Sequence, residues 1–419
     1  MPEPALADLS LRSLRSVRAI ADQGSLTVAA ETLNRSQSAL SKSLTELEQK
    51  LGVPLFDRNS QGVDTTAYGS LLVKRIREAE LQLELAARSH RSSLRTTPQQ
   101  QHNPVFTLEV SRKRIEAFLA VHELRHVGRA AERIGLTRAA VYDSLRTLEG
   151  LLEMPLFETT GSGLRSTAYA DVLATHLSLA FSLIQHGVDE IASMDGAVRG
   201  RLVIGTLPYS RTVLVPRTIV RVLQDHPQLQ IATREGPYEV LERALRSGNI
   251  DLIIGATRHH DEDSPLFAET LFEDELAVIC GAHHPLARQS RISLDELMRY
   301  PWVLPVPSTP ARQLFDRFLE RQGTSEPGQV IETGSMSMTR SLLLESDSLA
   351  LLSTHQVQLD QDAGLLTTLP FRLEETYRPI GITQRAHSTP SPAARVFMAE
   401  LRKLAQTQAQ GASPKGHIS

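Results

Sequence analysis

An internal repeat restricts this chain more than any other feature. Shifted by 101 positions, residues 17–72 align with 118–173 without a gap, and about 18 of the 56 positions are identical. The matches include AAE at 29 and 130, PLF at 54 and 155, and TAY at 66 and 167. Two copies of one structural unit are therefore expected.

Each copy reads as helix, helix, turn, helix and wing. In the first, LRSVRAIADQG predicts a helix stopping at Gly24, and SLTVAAETLN restarts with Ser25 as N-cap. After a turn at Asn34 and Arg35, a third helix begins at Ser36, with Leu40, Leu44, Leu47 and Leu51 on one face. The second copy keeps that face as Val141, Leu145, Leu148 and Leu152. Pro-Leu-Phe, a glycine turn (Gly62, Gly163) and Thr-Ala-Tyr then predict a short β-wing leading into a long helix. The sum is a winged helix-turn-helix, whose recognition helix enters the DNA major groove.

Reading DNA takes short or amide side chains for base edges and cations for phosphates. Opposite its leucine face the first copy carries Gln37, Ser38, Ser41 and Lys42, with Thr45 one turn on and Arg58 in the wing. The corresponding residues of the second copy are Arg138, Ala139, Tyr142 and Asp143, and Thr159 replaces the wing arginine. An aspartate facing phosphates repels them and removes a cation. Weaker binding is expected there, although Arg138 and Arg146 keep an altered readout open.

The remaining chain divides by composition. A winged helix-turn-helix over 10–70 is followed by a long helix over 71–90 and a polar, proline-broken linker over 91–108. The second copy spans 109–170, and an amphipathic helix over 171–196 is long enough to pair with a partner chain. From Gly200 the character changes. RLVIGT, LQIATREG, IDLIIGAT and ELAVICG are short β-branched runs separated by helical segments, which predicts parallel α/β sheets in two small lobes around a cleft. Lobe I is expected over 201–268 and 373–405, lobe II over 269–372, and a disordered tail over 406–419.

Bulk numbers narrow the class. A net charge of −3 over 419 residues gives no global basic field, so nucleic-acid contact must come from a local surface. The single cysteine, Cys280, excludes internal disulfides and multi-thiolate metal sites; in LAVICG it reads as a small buried hydrophobe. Neither a signal peptide nor a membrane span is evident, so a cytoplasmic location away from membranes is expected.

These residues resemble the LysR-type transcriptional regulators. AAETLNRSQSALSKSLTELEQKLGVPLFDR with TTAYG matches the family's N-terminal reader, and the likeness extends through GRLVIG, HPQL, REGPYEVLERALRSGNIDLIIG and HHPLA, covering about 13–405. YPWVLPVPSTPAR and TPSPAAR further resemble the subgroup regulating protocatechuate- and galactose-type catabolism. The resemblance implies a two-lobed, periplasmic-binding-protein-like α/β effector domain, and Gln37, Ser38 and Lys42 as foremost DNA contacts. Its implied partners are double-stranded DNA, a small organic or aromatic acid, a homodimer or homotetramer, and RNA polymerase; it implies no cofactor. The departure is the duplication, since the family normally carries one reader.

Ligands of two-lobed α/β proteins sit where strand ends and helix N-termini converge. TLPYSRT offers Thr206, Tyr209 and Ser210, REGPYE offers Gly236 and Tyr238, and PVPSTPAR offers Ser308, Thr309 and Arg312. A helix N-terminus beside an arginine favours a carboxylate. Ordinary capping by the hydroxyls, a surface arginine and loop-covering tyrosines are the alternatives. RHHDED and GAHHPLA lack helix-spaced metal ligands, and no phosphate loop, nucleophile elbow or zinc helix is present, so catalysis is not expected. A solute-binding or enzyme-derived two-lobed protein, its helix-turn-helix units serving only for interaction, is the competing class.

Overall fold

The computed structural model describes residues 9–59, 62–94, 103–161, 163–386 and 388–411. Its first unit comprises α1 (Leu11–Gln23), α2 (Leu26–Thr32), α3 (Gln37–Leu51) and an antiparallel hairpin of β1 (Phe56–Asn59) and β2 (Gly62–Thr65). Local chemistry sets the boundaries. Gly24 and Gly52 close α1 and α3 in the left-handed region, while the Ser25 and Ser36 side chains accept from the Val28 and Ala39 N–H groups. α4 (Ala67–Leu94) follows for 28 residues.

The second unit repeats the plan with α5 (Arg112–Leu124), α6 (Val127–Ile134), α7 (Arg138–Leu152), β3 (Phe157–Thr160), β4 (Gly163–Ser166) and α8 (Ala168–Ala192). Two side-chain clamps recur with it. Glu48 accepts from the Leu55 N–H at 2.7 Å and Glu149 from that of Leu156 at 2.8 Å; Thr66 and Thr167 donate to the carbonyls of Pro54 and Pro155. Both hairpins are thereby held to their third helices.

Two expectations for the connecting segments change. The helix expected over 71–90 runs from 67 to 94, so the start of the expected linker is helical and 103–108 is folded into turns; 95–102 lie outside the described residues. The helix expected over 171–196, long enough to pair with a partner chain, packs here against α4 of its own chain. His90 packs against Tyr169 in a tilted pair with ring centroids 5.4 Å apart, Gln82 Oε1 meets His176 Nδ1 at 3.1 Å, and Leu72 lies against Gly187. The two helices are therefore antiparallel, and they share one buried core with both three-helix units.

The second half is a single mixed sheet. Its strands are β5 (Gly200–Thr206), β6 (Leu229–Glu235), β7 (Leu252–Ala256), β8 (Leu266–Gly281), β9 (Trp302–Leu304), β10 (Val330–Glu332), β11 (Leu349–Ser353) and β12 (Leu366–Arg385), in the order β10-β9-β11-β8-β12-β7-β5-β6. The expected parallel pairing holds for β6-β5-β7 and β10-β9-β11. It fails in the middle, where β12 runs antiparallel to both β7 and β8, and β8 antiparallel to β11. The reason is length: β8 and β12, at 16 and 20 residues, each pass through both lobes and form the two crossings between them.

α9 (Leu214–Asp225) and α10 (Tyr238–Arg246) cover lobe I, while α11 (Leu294–Leu297), α12 (Pro310–Arg321), α13 (Met336–Glu345) and α14 (Gln358–Asp362) belong to lobe II. Separate apolar clusters fill the two faces of each lobe's sheet. α15 (Pro392–Gly411) returns to lobe I, so 406–411 continue a helix rather than opening the expected disordered tail; 412–419 lie outside the described residues. Cys280 is fully buried in β8, where burial pushes its thiol up to about 12, well away from a reactive thiolate. Among the described residues, no helix is long and apolar enough to cross a membrane.

Candidate nucleic-acid interface and effector cleft

α3 carries its outward residues on the face opposite the buried leucines. Gln37, Ser38, Lys42 and Thr45 are exposed and Ser41 is half-buried. The Lys42 side chain is 79% exposed and meets Glu46 only at 4.0 Å, so its charge is free for a phosphate. Arg58, projecting from β1, donates from Nη2 to Ser41 Oγ at 3.3 Å and brings the wing cation to the reading helix. Every residue expected on this face is on it.

α7 has the same backbone and different chemistry. Thr137 caps it as Ser36 caps α3, but Tyr142, 51% exposed, and Asp143 occupy the outer face. Arg138 folds back over α6. Its guanidinium lies against Gly128, so closely that a Cβ there would stand 3.1 Å from Nε and Nη2. Arg146 remains exposed.

The effector residues named from the sequence do not converge. Thr206 is buried with its hydroxyl 3.4 Å from the Arg234 carbonyl. Ser210 is fully buried in the turn Pro208–Arg211 and gives its hydroxyl to the carbonyls of Leu207 and Ile254, so it does not cap α9, whose N-cap is Val213. Gly236 is half-buried ahead of α10. Tyr238 packs within lobe I, its hydroxyl 3.0 Å from His260 Nε2 and its ring beneath Arg258. Ser308 is exposed, and Thr309 caps α12 as expected.

Arg312 requires a correction. Expected at an anion site, its side chain is buried and bonds Asp316 at 2.7 Å, Glu332 at 3.0 Å and also Glu326. Three carboxylates and the Pro305 carbonyl take four of its five N–H donors and more than balance its charge, so it braces lobe II.

Of the named residues, Tyr209 is the one at the lobe junction. Its buried ring packs on Phe272 and His355 at 5.9 and 6.4 Å, with the Arg378 guanidinium 5.5 Å above it. Arg378 Nε donates to Asp274 Oδ2 at 3.0 Å, and Ser353 Oγ donates to Asp274 Oδ1 at 2.5 Å. Burial, helped by the Asp274 charge, pushes the Tyr209 phenol far above its ordinary value, leaving a neutral buried O–H with no partner in bonding geometry among the described residues. An inter-lobe cavity of about 790 Å³ opens beside Asp274 and His355, lined also by Arg217, Thr354, Gln358 and Tyr377. These polar groups can orient a small ligand.

The paired histidines hold loops. His260 meets Tyr238, and His284 Nδ1 accepts from the Leu286 N–H while its Nε2 faces the Asp347 carbonyl.

The family profile described as "Bacterial regulatory helix-turn-helix protein, lysR family" matches residues 11–70 and again 113–171, and the "LysR substrate binding domain" matches 195–406. This chain belongs to the LysR family. It is a DNA-binding transcriptional regulator with an effector-binding domain, and not an enzyme.

Among curated LysR relatives, the transcriptional regulator GalR of Pseudomonas putida is 34% identical over 407 residues, 96% of this chain and 100% of the relative. GbpR of Azospirillum brasilense is 27% identical over 71% of this chain and 87% of its own length. PcaQ of Agrobacterium fabrum is 26% identical over 70% and 94%. A full-length OxyR variant from Pseudomonas aeruginosa shares the fold at a TM-score of 0.53 and 21% identity, over 69% of this chain and 96% of that one. The LysR-family regulator CbnR does so at 0.50 and 15%, over 70% and 98%.

For this LysR regulator, sequence reasoning missed Asp274, Ser353, His355 and Arg378. The only local signal was the acidic FEDE run inside an otherwise apolar strand pattern.

Proposed function

We propose that this regulator carries a duplicated winged helix-turn-helix reader, with α3 as its principal recognition helix and α7 as a weaker, supporting one. The observation that carries this is the pair Lys42 and Asp143, repeat equivalents on equivalent helix faces with opposite charge. Gln37, Ser38 and Ser41 meet base edges, while Lys42 and Arg58 meet phosphates. In α7, Arg138, Tyr142 and Arg146 supply what contact there is. Comparing operator binding of Lys42→Ala and Arg138→Ala tests the ranking: the lysine variant should lose more, and equal losses would overturn it.

The periplasmic-binding-protein-like half binds a small organic or aromatic acid between its lobes. The subgroup likeness of YPWVLPVPSTPAR and TPSPAAR supports that ligand class. Because Arg312 is neutralised, the acid meets the lobe junction instead, with the Tyr209 hydroxyl as donor and the Arg378 guanidinium, held by one carboxylate rather than three, beside the His355 ring. An effector that prefers one lobe arrangement shifts the DNA-bound assembly, and RNA polymerase responds to that shift. Titration with ring-hydroxylated benzoates should raise the thermal midpoint of the wild type and not of Arg378→Met. No rise with any such acid would remove the proposal.

A further inference from the structure

Helix-turn-helix proteins usually read two half-sites by pairing two identical chains. In this chain the pairing is already made. From the structure we infer that α4 and α8 form the reader's dimer seam within one chain, so that a single polypeptide presents two unlike recognition helices to one asymmetric operator. The inference rests on the reading of α3 and α7 as DNA-facing helices.

The register of the seam fixes its symmetry. The pairs Leu72 with Gly187, Gln82 with His176 and His90 with Tyr169 define an antiparallel seam. Continued to its middle, that register sets Ala79 opposite Ala180, and these two alanines are themselves equivalents under the 101-residue repeat. Both are fully buried. Equal helices crossing antiparallel at equivalent residues are related by a local two-fold, the symmetry of an isologous homodimer. Here it is approximate, because the two halves have different sequences.

The seam leaves little room for a second chain. Leu83 and Ala86 of α4, and Leu177, Ile184 and Val188 of α8, are buried in the core they share. At Gly187 a Cβ would come within 3.0 Å of Arg75 Cβ and Cγ, so the close approach is fitted to this pairing. The two-fold also places the readers. Each three-helix unit leads into the N-terminus of its own long helix, so antiparallel pairing sends the units to opposite ends. The paired stretch from Leu72 to His90 spans about 27 Å at roughly 1.5 Å per residue. Units beyond both ends suit half-sites about one turn of DNA, roughly 34 Å, apart.

Two measurements on the full-length protein test this. Cysteines at Gln82→Cys and His176→Cys, treated with a short bis-maleimide, should cross-link within one chain, while Ala180→Cys alone should give no two-chain product; buried Cys280 does not compete. A two-chain product from either variant would overturn the cis seam. Selection from a random DNA library with unaltered protein should yield two unlike half-sites. Lys42→Ala should erase one half and Arg138→Ala with Tyr142→Ala should alter only the other. A palindrome losing both halves to Lys42→Ala would overturn the inference. Cis cross-links with both halves untouched by Lys42→Ala would instead remove the DNA-facing reading of α3 on which it rests.

Discussion

Arg75 of α4 and Glu190 of α8 form a two-pronged ion pair, Nη2 to Oε1 at 2.7 Å and Nε to Oε2 at 3.1 Å, with the arginine side chain fully buried. Arg75 Nη1 also donates to the Thr389 carbonyl at 2.9 Å, and Arg395 approaches Glu190 Oε1 at 3.5 Å. One guanidinium thus ties both long helices to the effector half. Removing one partner of such a buried pair strands the other charge, so Arg75→Ala should cost about 3–5 kcal/mol. The double variant Arg75→Met with Glu190→Met should recover most of that loss. Urea unfolding of the three proteins checks the order.

Exposed charges on the reading helices set the salt dependence. Each phosphate contact contributes about −0.9 to the slope of log affinity against log salt. Lys42→Ala should make the slope shallower by about that amount, and Asp143→Lys should make it steeper while tightening binding. Fluorescence anisotropy on operator DNA across a salt series measures both; an unchanged slope for Asp143→Lys would place that residue away from the backbone.

The α4–α8 seam contains two histidines that burial holds neutral. His90 is lowered from its ordinary value by burial and then by the Arg91 charge, and His176 by burial. The unfolded chain takes up protons at these sites as pH falls below about 6.5 while the folded chain resists, so stability declines in that direction. Above that pH the contribution is complete. Thermal midpoints should fall from pH 7 to pH 5, and His90→Gln with His176→Gln should flatten the decline.

Arg312 separates bracing from ligand binding. Its deletion leaves Asp316, Glu326 and Glu332 without their shared cation, and charged hydrogen bonds of this kind contribute about 1–3 kcal/mol. Arg312→Ala should therefore lower the melting midpoint while any ligand-induced rise keeps its size. A lost ligand response with unchanged stability would restore the arginine to the site.

The two units differ at one tight contact. A Cβ at Gly69 would stand 2.0 Å from the Leu55 carbonyl oxygen, whereas the equivalent residue of the second unit is Ala170, buried without difficulty. Gly69→Ala should destabilise the first unit by about 1–3 kcal/mol through overpacking. Hydrogen exchange resolved by unit would show the loss confined to α1, α3 and the first hairpin.

What was readable in advance was whatever repeats locally. The leucine stripe of α3, its echo in α7 and the glycine turns carry a periodicity that specifies helices and hairpins without knowledge of partners. The lobe junction was not readable, because Asp274 and Arg378 meet only through the crossing of β8 and β12. Arg312 was misread for a related reason: Glu326 and Glu332 reach it from segments beyond its own helix. The α4–α8 seam was half readable, since apolar faces announce that they need cover but do not say what supplies it.

In a homodimer every substitution is made twice, so one change alters both half-sites together. The separate sequences of α3 and α7 lift that constraint. Asp143 can stand in one reader while Lys42 stands in the other, and each half of a recognition site is open to change without disturbing its counterpart.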